Sequence, residues 1–163
     1  MIKVGFIINF NSKKWLGGFN LLINLIKSLA LLKIKKIEPI LIVDSNLPLH
    51  ELKGLDIKII KTNYFLNEKI HQRIFNKILI YLFGRSYLYD KFFKNMKIDI
   101  LSHTLLALGK ESSIKSFPWI PDFQYYHYPR NFSLKNRIMK KINIIFLSKH
   151  SNKIILSSKS ARN

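Results

Sequence analysis

Apolar residues fall into two kinds of run along this chain, and the two kinds alternate. Short, nearly continuous apolar runs are typical of buried strands, whereas apolar residues spaced three and four apart are typical of helices. The first short run predicts a strand over residues 3–10, and the first spaced run predicts a helix over 19–34. Between them, a loop is predicted over 11–18 that closes on Gly17 and Gly18. A strand, a glycine-containing turn and a helix in this order open a βαβ unit.

The same alternation continues along the rest of the chain. Further strands are predicted over residues 39–43, 56–60, 98–101, 117–120 and 153–156. Helices are predicted over 67–97, with a break at Gly84, and over 133–147. Strands that alternate with helices favour a mostly parallel sheet covered by helices, so we predict one Rossmann-like α/β domain over residues 1–163. A further helix or turn opens after Ser157 just before the sequence stops, and we therefore expect the domain to be incomplete at its C-terminus.

Length and composition exclude several classes of protein. A chain of 163 residues can bury one sizeable core, and an apolar content of 48% is too high for a disordered chain. The absence of cysteine excludes a disulfide framework, a thiolate zinc site and a cysteine nucleophile, and it fits the reducing cytoplasm. No apolar run reaches the roughly 18 residues that a membrane-spanning helix requires. The first apolar run is too short for a signal peptide.

The chain is strongly basic, with 28 Lys and Arg against 9 Asp and Glu and a formal net charge of +19. Two interpretations are open. The chain holds 26 Ile, 23 Lys and 14 Asn, residues that AT-rich coding DNA favours, so part of the charge would reflect base composition. The other interpretation is a preference for polyanions, either anionic lipid headgroups or nucleic acid.

Residues 117–133 form the most distinctive segment, Phe-Pro-Trp-Ile-Pro-Asp-Phe-Gln-Tyr-Tyr-His-Tyr-Pro-Arg-Asn-Phe-Ser. Its prolines and aromatic rings predict a rigid loop, and Asp122 follows a predicted strand, where ligands of open α/β sheets bind. Aromatic rings stack on the apolar faces of sugars, while Asp122 and Gln124 would hydrogen-bond to sugar hydroxyls. The alternative is a packed surface loop without a ligand.

The glycine pair after the first strand is a second candidate site. Glycines at this point let the backbone approach an anion, and a helix N-terminus presents unpaired N–H groups. The residues match neither the Gly-x-Gly-x-x-Gly fingerprint nor a P-loop. The alternative is a tight turn in which Gly17 and Gly18 serve geometry alone.

Several of these residues together resemble the N-terminal domain of GT-B glycosyltransferases, in the family-4-like, retaining, nucleotide-sugar-dependent group. The residues that carry the resemblance are Trp119-Ile-Pro-Asp-Phe-Gln124, His127-Tyr-Pro129, Phe132-Ser133, Ile154-Ile-Leu-Ser-Ser158, Ala161 and, near the start, Gly17, Gly18 and Asn20. The sequence departs from the family pattern at Pro121, where many relatives have His, at Tyr125, which is often His, and at Arg130, which is often acidic.

The resemblance implies the acceptor-binding half of an enzyme that transfers a sugar from a nucleotide-sugar to a glycan or lipid-linked acceptor in polysaccharide or lipopolysaccharide biosynthesis. It implies acid–base roles for Asp122 and His127. Contacts with the acceptor would come from Gly17, Gly18, Asn20, Trp119 and Gln124. The family's second domain, which binds the nucleotide-sugar, has no counterpart in these residues. We therefore expect no cofactor within this chain, no turnover by the chain alone, and a donor domain encoded downstream.

His103 is a further candidate for substrate binding, because it follows the predicted strand over 98–101 and is therefore expected at the edge of the binding cleft. The alternative is a structural or solvated histidine. His50 and His71 have no His or carboxylate partner at ligand spacing, so no metal site is predicted.

Residues 67–97 combine lysines and arginines with many aromatic residues. Basic, aromatic helices can lie on an anionic membrane surface, and a lipid-linked acceptor would suit a peripheral position on the inner face of the plasma membrane. The alternative is a helix pair with one core face and one solvated, lysine-rich face.

A small nucleic-acid-binding protein and a non-catalytic peripheral membrane protein are the competing functions. Because no nucleic-acid-binding motif occurs, no specific nucleic-acid partner is expected.

Overall fold

Strands and helices alternate along the chain, as predicted. The computed structural model describes residues 1–8, 16–32, 36–47, 52, 54, 57–64 and 68–157. The strands are β1 (Ile2–Ile8), β2 (Ile37–Asp44), β3 (Lys58–Thr62), β4 (Ile100–Thr104), β5 (Lys115–Ile120) and β6 (Ile155–Leu156). The helices are α1 (Leu16–Ala30), α2 (Ile70–Phe83), α3 (Tyr87–Asn95), α4 (Gln124–His127) and α5 (Leu134–His150), with a 3₁₀ turn at Pro129–Asn131.

The six strands form one parallel sheet in the order β3-β2-β1-β4-β5-β6. After β3 the chain returns to the middle of the sheet and then runs outward in the opposite direction. This is the strand order of the doubly wound Rossmann fold, so the predicted fold class is confirmed. The winding reverses between β1 and β4, and ligands of such sheets bind outside the carboxyl ends of the strands at this switch point.

One face of the sheet is closed by α1. Its buried residues are Gly18, Phe19, Leu22, Ile23 and Ile26. Successive residues of a strand point to opposite faces, so Phe6 and Ile8 pack on the α1 side whereas Ile7 packs on the other side. Register along β1 therefore determines which side chains meet α1.

The other face is covered by α2, α3 and α5. Ile80 of α2 and Phe93 of α3 are buried there against Leu101 of β4, and Phe146 of α5 packs on the same cluster. Both α2 and α5 also leave large apolar side chains exposed. Among the described residues, no helix is long and apolar enough to cross a bilayer.

The predicted helix break at Gly84 is confirmed, and it also shapes the connection from β4 to β5. Gly84 follows α2 with φ 68° and donates its N–H to the Ile80 carbonyl at 2.9 Å. The connection over residues 105–114 crosses this point without a helix. A Cβ on Gly109, whose φ is 94°, would lie 1.9 Å from the Gly84 carbonyl oxygen. Glycine at both positions therefore allows the close crossing.

Two predicted boundaries are wrong at positions that matter for the site. Gly17 and Gly18 lie in the first turn of α1 rather than in a loop, because burial of Gly18 and the apolar residues after it outweighs the roughly 1 kcal/mol by which glycine disfavours helix. β4 extends to Thr104, so His103 belongs to the strand instead of following it. Pairing of Ser102 with β1 and β5 and of Thr104 with β5 holds this end of the strand in the sheet, and His103 bulges between the two. The predictions for residues 9–15, 33–34, 50, 56, 67 and 158–163 lie outside the described residues.

Candidate functional site

A groove opens between α2 and α5 at the carboxyl ends of β1 and β4. It has a volume of about 480 Å³, and its lining includes Ile7 of β1, Trp119 of β5 and residues 103–107 at and beyond the end of β4. The groove therefore lies at the switch point of the sheet, where ligands of this architecture bind. The side chains with polar atoms that line it are Glu68, Arg73, Lys77, Tyr89, His103, Thr104, Trp119, Lys140 and Asn143.

His103 has a strained backbone in this groove. Its φ is 53°, in the left-handed region that non-glycine residues occupy rarely and at a cost of order 1 kcal/mol. The strain coincides with a bulge, since the pairing of β4 with β5 shifts between Ser102 and Thr104. Bulges redirect side chains, and backbone strain of this kind clusters at functional sites. His103 is therefore a candidate site residue on structural grounds as well as by its position in the sequence.

The His103 imidazole has defined neighbours. Its ring centroid lies 6.1 Å from that of Phe6 and 6.0 Å from that of Trp119. Its Nδ1 lies 2.8 Å from Ser102 Oγ. Burial lowers the pKa of His103, so at neutral pH the ring is uncharged and offers one N–H donor and one nitrogen acceptor.

Trp119 is the second predicted site residue that lines the groove. It is buried, and its indole N–H donates to Ser157 Oγ at 2.9 Å. Its backbone pairs with Ile155 of β6. An indole held in this way presents an apolar surface of fixed orientation, which suits stacking against a ligand.

A buried carboxylate, Glu68, also lines the groove. Its Oε1 accepts hydrogen bonds from the Tyr89 O–H at 2.7 Å and from Asn76 Nδ2 at 3.0 Å, and its Oε2 lies 3.4 Å from Arg73 Nε. Asn76 accepts in turn from the Ser86 hydroxyl. Burial and the bond to Glu68 raise the pKa of Tyr89, so the phenol keeps its proton. Hydrogen-bond donors and a nearby cation offset the cost of burying the Glu68 carboxylate.

Sequence reasoning missed this network. Glu68 and Asp90 are the only acidic residues between positions 67 and 97, and both are buried. An isolated acid in a strongly basic, apolar segment is the signal that could have identified Glu68, because carboxylates are seldom buried without a partner.

Three cations complete the lining of the groove. Lys77 Nζ donates to Asn143 Oδ1 at 3.0 Å and lies 5.2 Å from the Phe146 ring centroid, which connects α2 with α5. Burial lowers the pKa of Lys77. Lys140 Nζ lies 4.9 Å from the Phe132 ring centroid, and Arg73 contacts Glu68. A ligand here meets more positive than negative groups, together with several hydroxyl, amide and imidazole partners.

The aromatic segment contributes less to the groove than its sequence predicts. Asp122, Gln124 and His127 are not among the lining residues. Asp122 Oδ1 accepts the backbone N–H of Gln124 at 3.1 Å, a local bond at the start of α4, and the side chains of Gln124 and His127 are exposed. Of residues 117–133, Trp119 lines the groove directly, and Tyr125 and Phe132 reach it through their contacts with Lys140. The catalytic roles of Asp122 and His127 stay predictions.

The predicted residues of α1 also lie outside the groove. Gly18 is buried, while Gly17 and Asn20 are exposed. Leu22, in the next turn, does line the groove. Since all paired strands are parallel, β1, which precedes these residues, and β5, which precedes Asp122, end at the same edge of the sheet.

In the part of the chain that the structure describes, no three His, Asp or Glu side chains converge as a metal site. The chain matches no protein-family model, no curated protein and no solved structure. Its function is therefore argued from the geometry of the groove.

Proposed function

We propose that this chain is the acceptor-binding half of a glycosyltransferase. The groove at the switch point would hold a hydroxyl-bearing end of a glycan or lipid-linked acceptor, and a second domain would hold the nucleotide-sugar. The observation that supports this proposal is the juxtaposition of a strained, uncharged His103 with the fixed indole of Trp119 at this point of the sheet.

The groove supplies the contacts that a sugar needs. Trp119 is only 6% exposed, so the small part of its indole that lines the groove would contact the apolar C–H face of a sugar ring. His103 and Asn143 hydrogen-bond to its hydroxyls, and the uncharged imidazole orients the hydroxyl that receives the transferred sugar. Stabilisation of the departing diphosphate is the task of the donor domain.

Acceptor binding is tested on the whole chain by NMR. The indole N–H signal of Trp119 is followed while methyl β-D-glucopyranoside, methyl β-D-galactopyranoside or N-acetylglucosamine is added. We expect a saturable shift with at least one of these sugars. His103→Asn should weaken that binding by about fivefold, since one hydrogen bond contributes about 1 kcal/mol. His71→Asn, the same substitution at an exposed position on α2, is the matched control. The absence of a saturable shift with all three sugars contradicts the proposal.

Donor chemistry gives a second test. Purified chain mixed with UDP-glucose and these sugars should transfer no glucose, because the diphosphate leaving group lacks its binding domain. Measurable transfer by the chain alone would show that the half-enzyme proposal is wrong.

A second proposal is that the chain docks on an anionic membrane surface through α2 and α5. The large apolar side chains that these helices expose include Ile70, Ile74, Ile78, Tyr81, Leu82, Leu134, Ile138, Ile142 and Ile145. Neither helix contains an acidic residue, and both carry Lys and Arg. An apolar surface with cationic flanks suits the interface of anionic lipids, where each Lys or Arg contributes about 1 kcal/mol.

Vesicle cosedimentation tests this second proposal. We expect binding to phosphatidylglycerol vesicles and little binding to phosphatidylcholine vesicles. Ile78→Ser with Ile142→Ser should weaken binding, whereas Leu21→Ser on α1, a comparably exposed position on the opposite face, should not. Equal binding to both vesicle types contradicts the proposal. Tight, sequence-selective binding to DNA or RNA at physiological salt would instead support the nucleic-acid alternative.

A further inference from the structure

A second pocket lies next to the groove, at the carboxyl end of β3. It has a volume of about 660 Å³ and is lined by residues from the end of β3, from α2 and from α3. Glu68 lines both the groove and this pocket, so the two spaces share one buried side chain. None of the residues predicted from the sequence to bind substrate belongs to this pocket.

One wall of the pocket is aromatic. The rings of Tyr64 and Phe92 are stacked, with centroids 4.1 Å apart and an interplanar angle of 26°. Tyr64 also meets Tyr89 edge-on at 6.3 Å. Burial is the main cause that raises the pKa of Tyr64, so this wall is uncharged at neutral pH. Mutual stacking holds both rings in place and gives the pocket a rigid apolar side.

Side-chain amides also line the pocket. Asn63 follows β3 and Asn95 ends α3, and both side chains are exposed at the pocket. Within the described part of the chain, neither amide has a hydrogen-bonding partner. Each amide presents two N–H donors and one carbonyl acceptor, so each is able to pair with two neighbouring hydroxyl groups.

The charge of the pocket is nearly balanced, in contrast to the groove. Its charged lining residues are Glu68 and Lys91. Oε1 of Glu68 already accepts from Tyr89 and Asn76, and Oε2 is paired with Arg73. A strongly ionic ligand therefore finds little compensation here. A pocket lined by an apolar ring wall and by amides that have no hydrogen-bonding partner among the described residues matches a ligand with one C–H face and a rim of hydroxyls.

We propose that this pocket is a subsite for an uncharged sugar residue, separate from the groove that contains His103 and Trp119. The inference rests on the proposed function only for the expectation that the sugar belongs to the acceptor. Because the two spaces share Glu68, an acceptor of two or more sugars would place one ring in each.

The test is a two-site NMR titration of the whole chain with methyl β-D-glucopyranoside, methyl β-D-galactopyranoside and N-acetylglucosamine. The side-chain amide signals of Asn63 and Asn95 report on the pocket, and the indole signal of Trp119 reports on the groove. We expect saturable shifts of the pocket signals in the millimolar range. Asn95→Ala and Phe92→Leu should each weaken that binding by about fivefold. Asn24→Ala, an exposed Asn on α1, is the matched control and should leave it unchanged.

The possible results separate this inference from the proposed function. Saturable shifts confined to Trp119 would overturn the second subsite and support acceptor binding in the groove. Shifts confined to Asn63 and Asn95 would support the subsite and contradict the groove. The absence of any saturable pocket shift, or equal weakening by Asn24→Ala and Asn95→Ala, would overturn the subsite.

Discussion

The two faces of the sheet bury their helices to very different extents. On one face, five of the 15 residues of α1 are buried. On the other, α2 buries only Asn76 and Ile80 of its 14 residues, and α5 buries only Leu147 of its 17. Composition accounts for part of the difference, since α1 carries one Lys whereas α5 carries five Lys and Arg. The rest reflects apolar side chains that α2 and α5 leave exposed.

The two faces of the sheet therefore have different roles. The α1 face is a closed core in which apolar residues serve stability. The opposite face contains the groove, the buried Glu68 network and the exposed apolar side chains of α2 and α5. A helix whose apolar residues remain exposed is expected to meet another surface. The sites that we propose therefore lie on the α2 and α5 face and at the edge above it.

The largest expected effect comes from opening the closed face. Ile26 is fully buried in α1, so Ile26→Ala should lower the free energy of unfolding by about 2–5 kcal/mol through lost burial and a residual cavity. Leu21→Ala, at an exposed position of the same helix, should change it by less than about 0.5 kcal/mol. Urea denaturation measures both. Similar losses in the two variants would show that the α1 face is not packed as described.

The second largest effect concerns the polar network on the other face. Glu68→Ala leaves the Tyr89 hydroxyl and the Asn76 amide without their acceptor, and should lower the free energy of unfolding by about 2–3 kcal/mol. Glu68→Gln keeps an acceptor and should cost less. An equal cost for the two variants, again from urea denaturation, would mean that the charge rather than the hydrogen bonds makes the contribution.

The pH dependence of stability should be smaller and should come partly from His103. Burial lowers its pKa in the folded chain, so the unfolded chain binds more protons between the folded and unfolded pKa values. The free energy of unfolding should therefore fall as the pH drops below about 6.5. His103→Asn removes this titrating group and should therefore reduce the fall. Asn is the replacement because it tolerates the positive φ at this position. His150, whose pKa is lowered by burial and by Lys110 and Lys149, accounts for part of the remaining slope. An unchanged slope in His103→Asn contradicts this assignment.

The smallest effect on stability is expected at the exposed apolar side chains. Ile78→Ser should change the free energy of unfolding by no more than about 0.5 kcal/mol, because the side chain is 47% exposed. The same variant should reduce binding to anionic vesicles. A large loss of stability would mean that Ile78 is covered within the chain, and would remove the basis for the docking surface.

The fold was largely predictable because its signals are local. Runs of apolar residues gave the strands and helices, and Gly84 marked the break between α2 and α3 as predicted. The boundary at His103 failed because Ser102, His103 and Thr104 are polar. The strand continues to Thr104 because Ser102 and Thr104 pair with strands that are distant in sequence.

The candidate site was only partly predictable. His103 was predicted because it follows a predicted strand, and Trp119 because its segment carries the family resemblance; both line the groove. The distinctive segment around Asp122 drew attention through its composition, yet its bond to Gln124 is local. The network of Glu68, Arg73 and Tyr89 was not predicted, because its members lie on different elements of the fold.

The sequence by itself determined the alternation of strands and helices, and with it a Rossmann-like α/β domain, because apolar periodicity and glycine positions act within a few residues. Tertiary structure alone decided which apolar residues became core and which polar side chains came into contact. The contacts of Glu68 with Tyr89 and of His103 with Trp119 join residues that are 21 and 16 positions apart. Spacing along a chain does not predict such contacts, since they depend on how whole elements pack on the sheet.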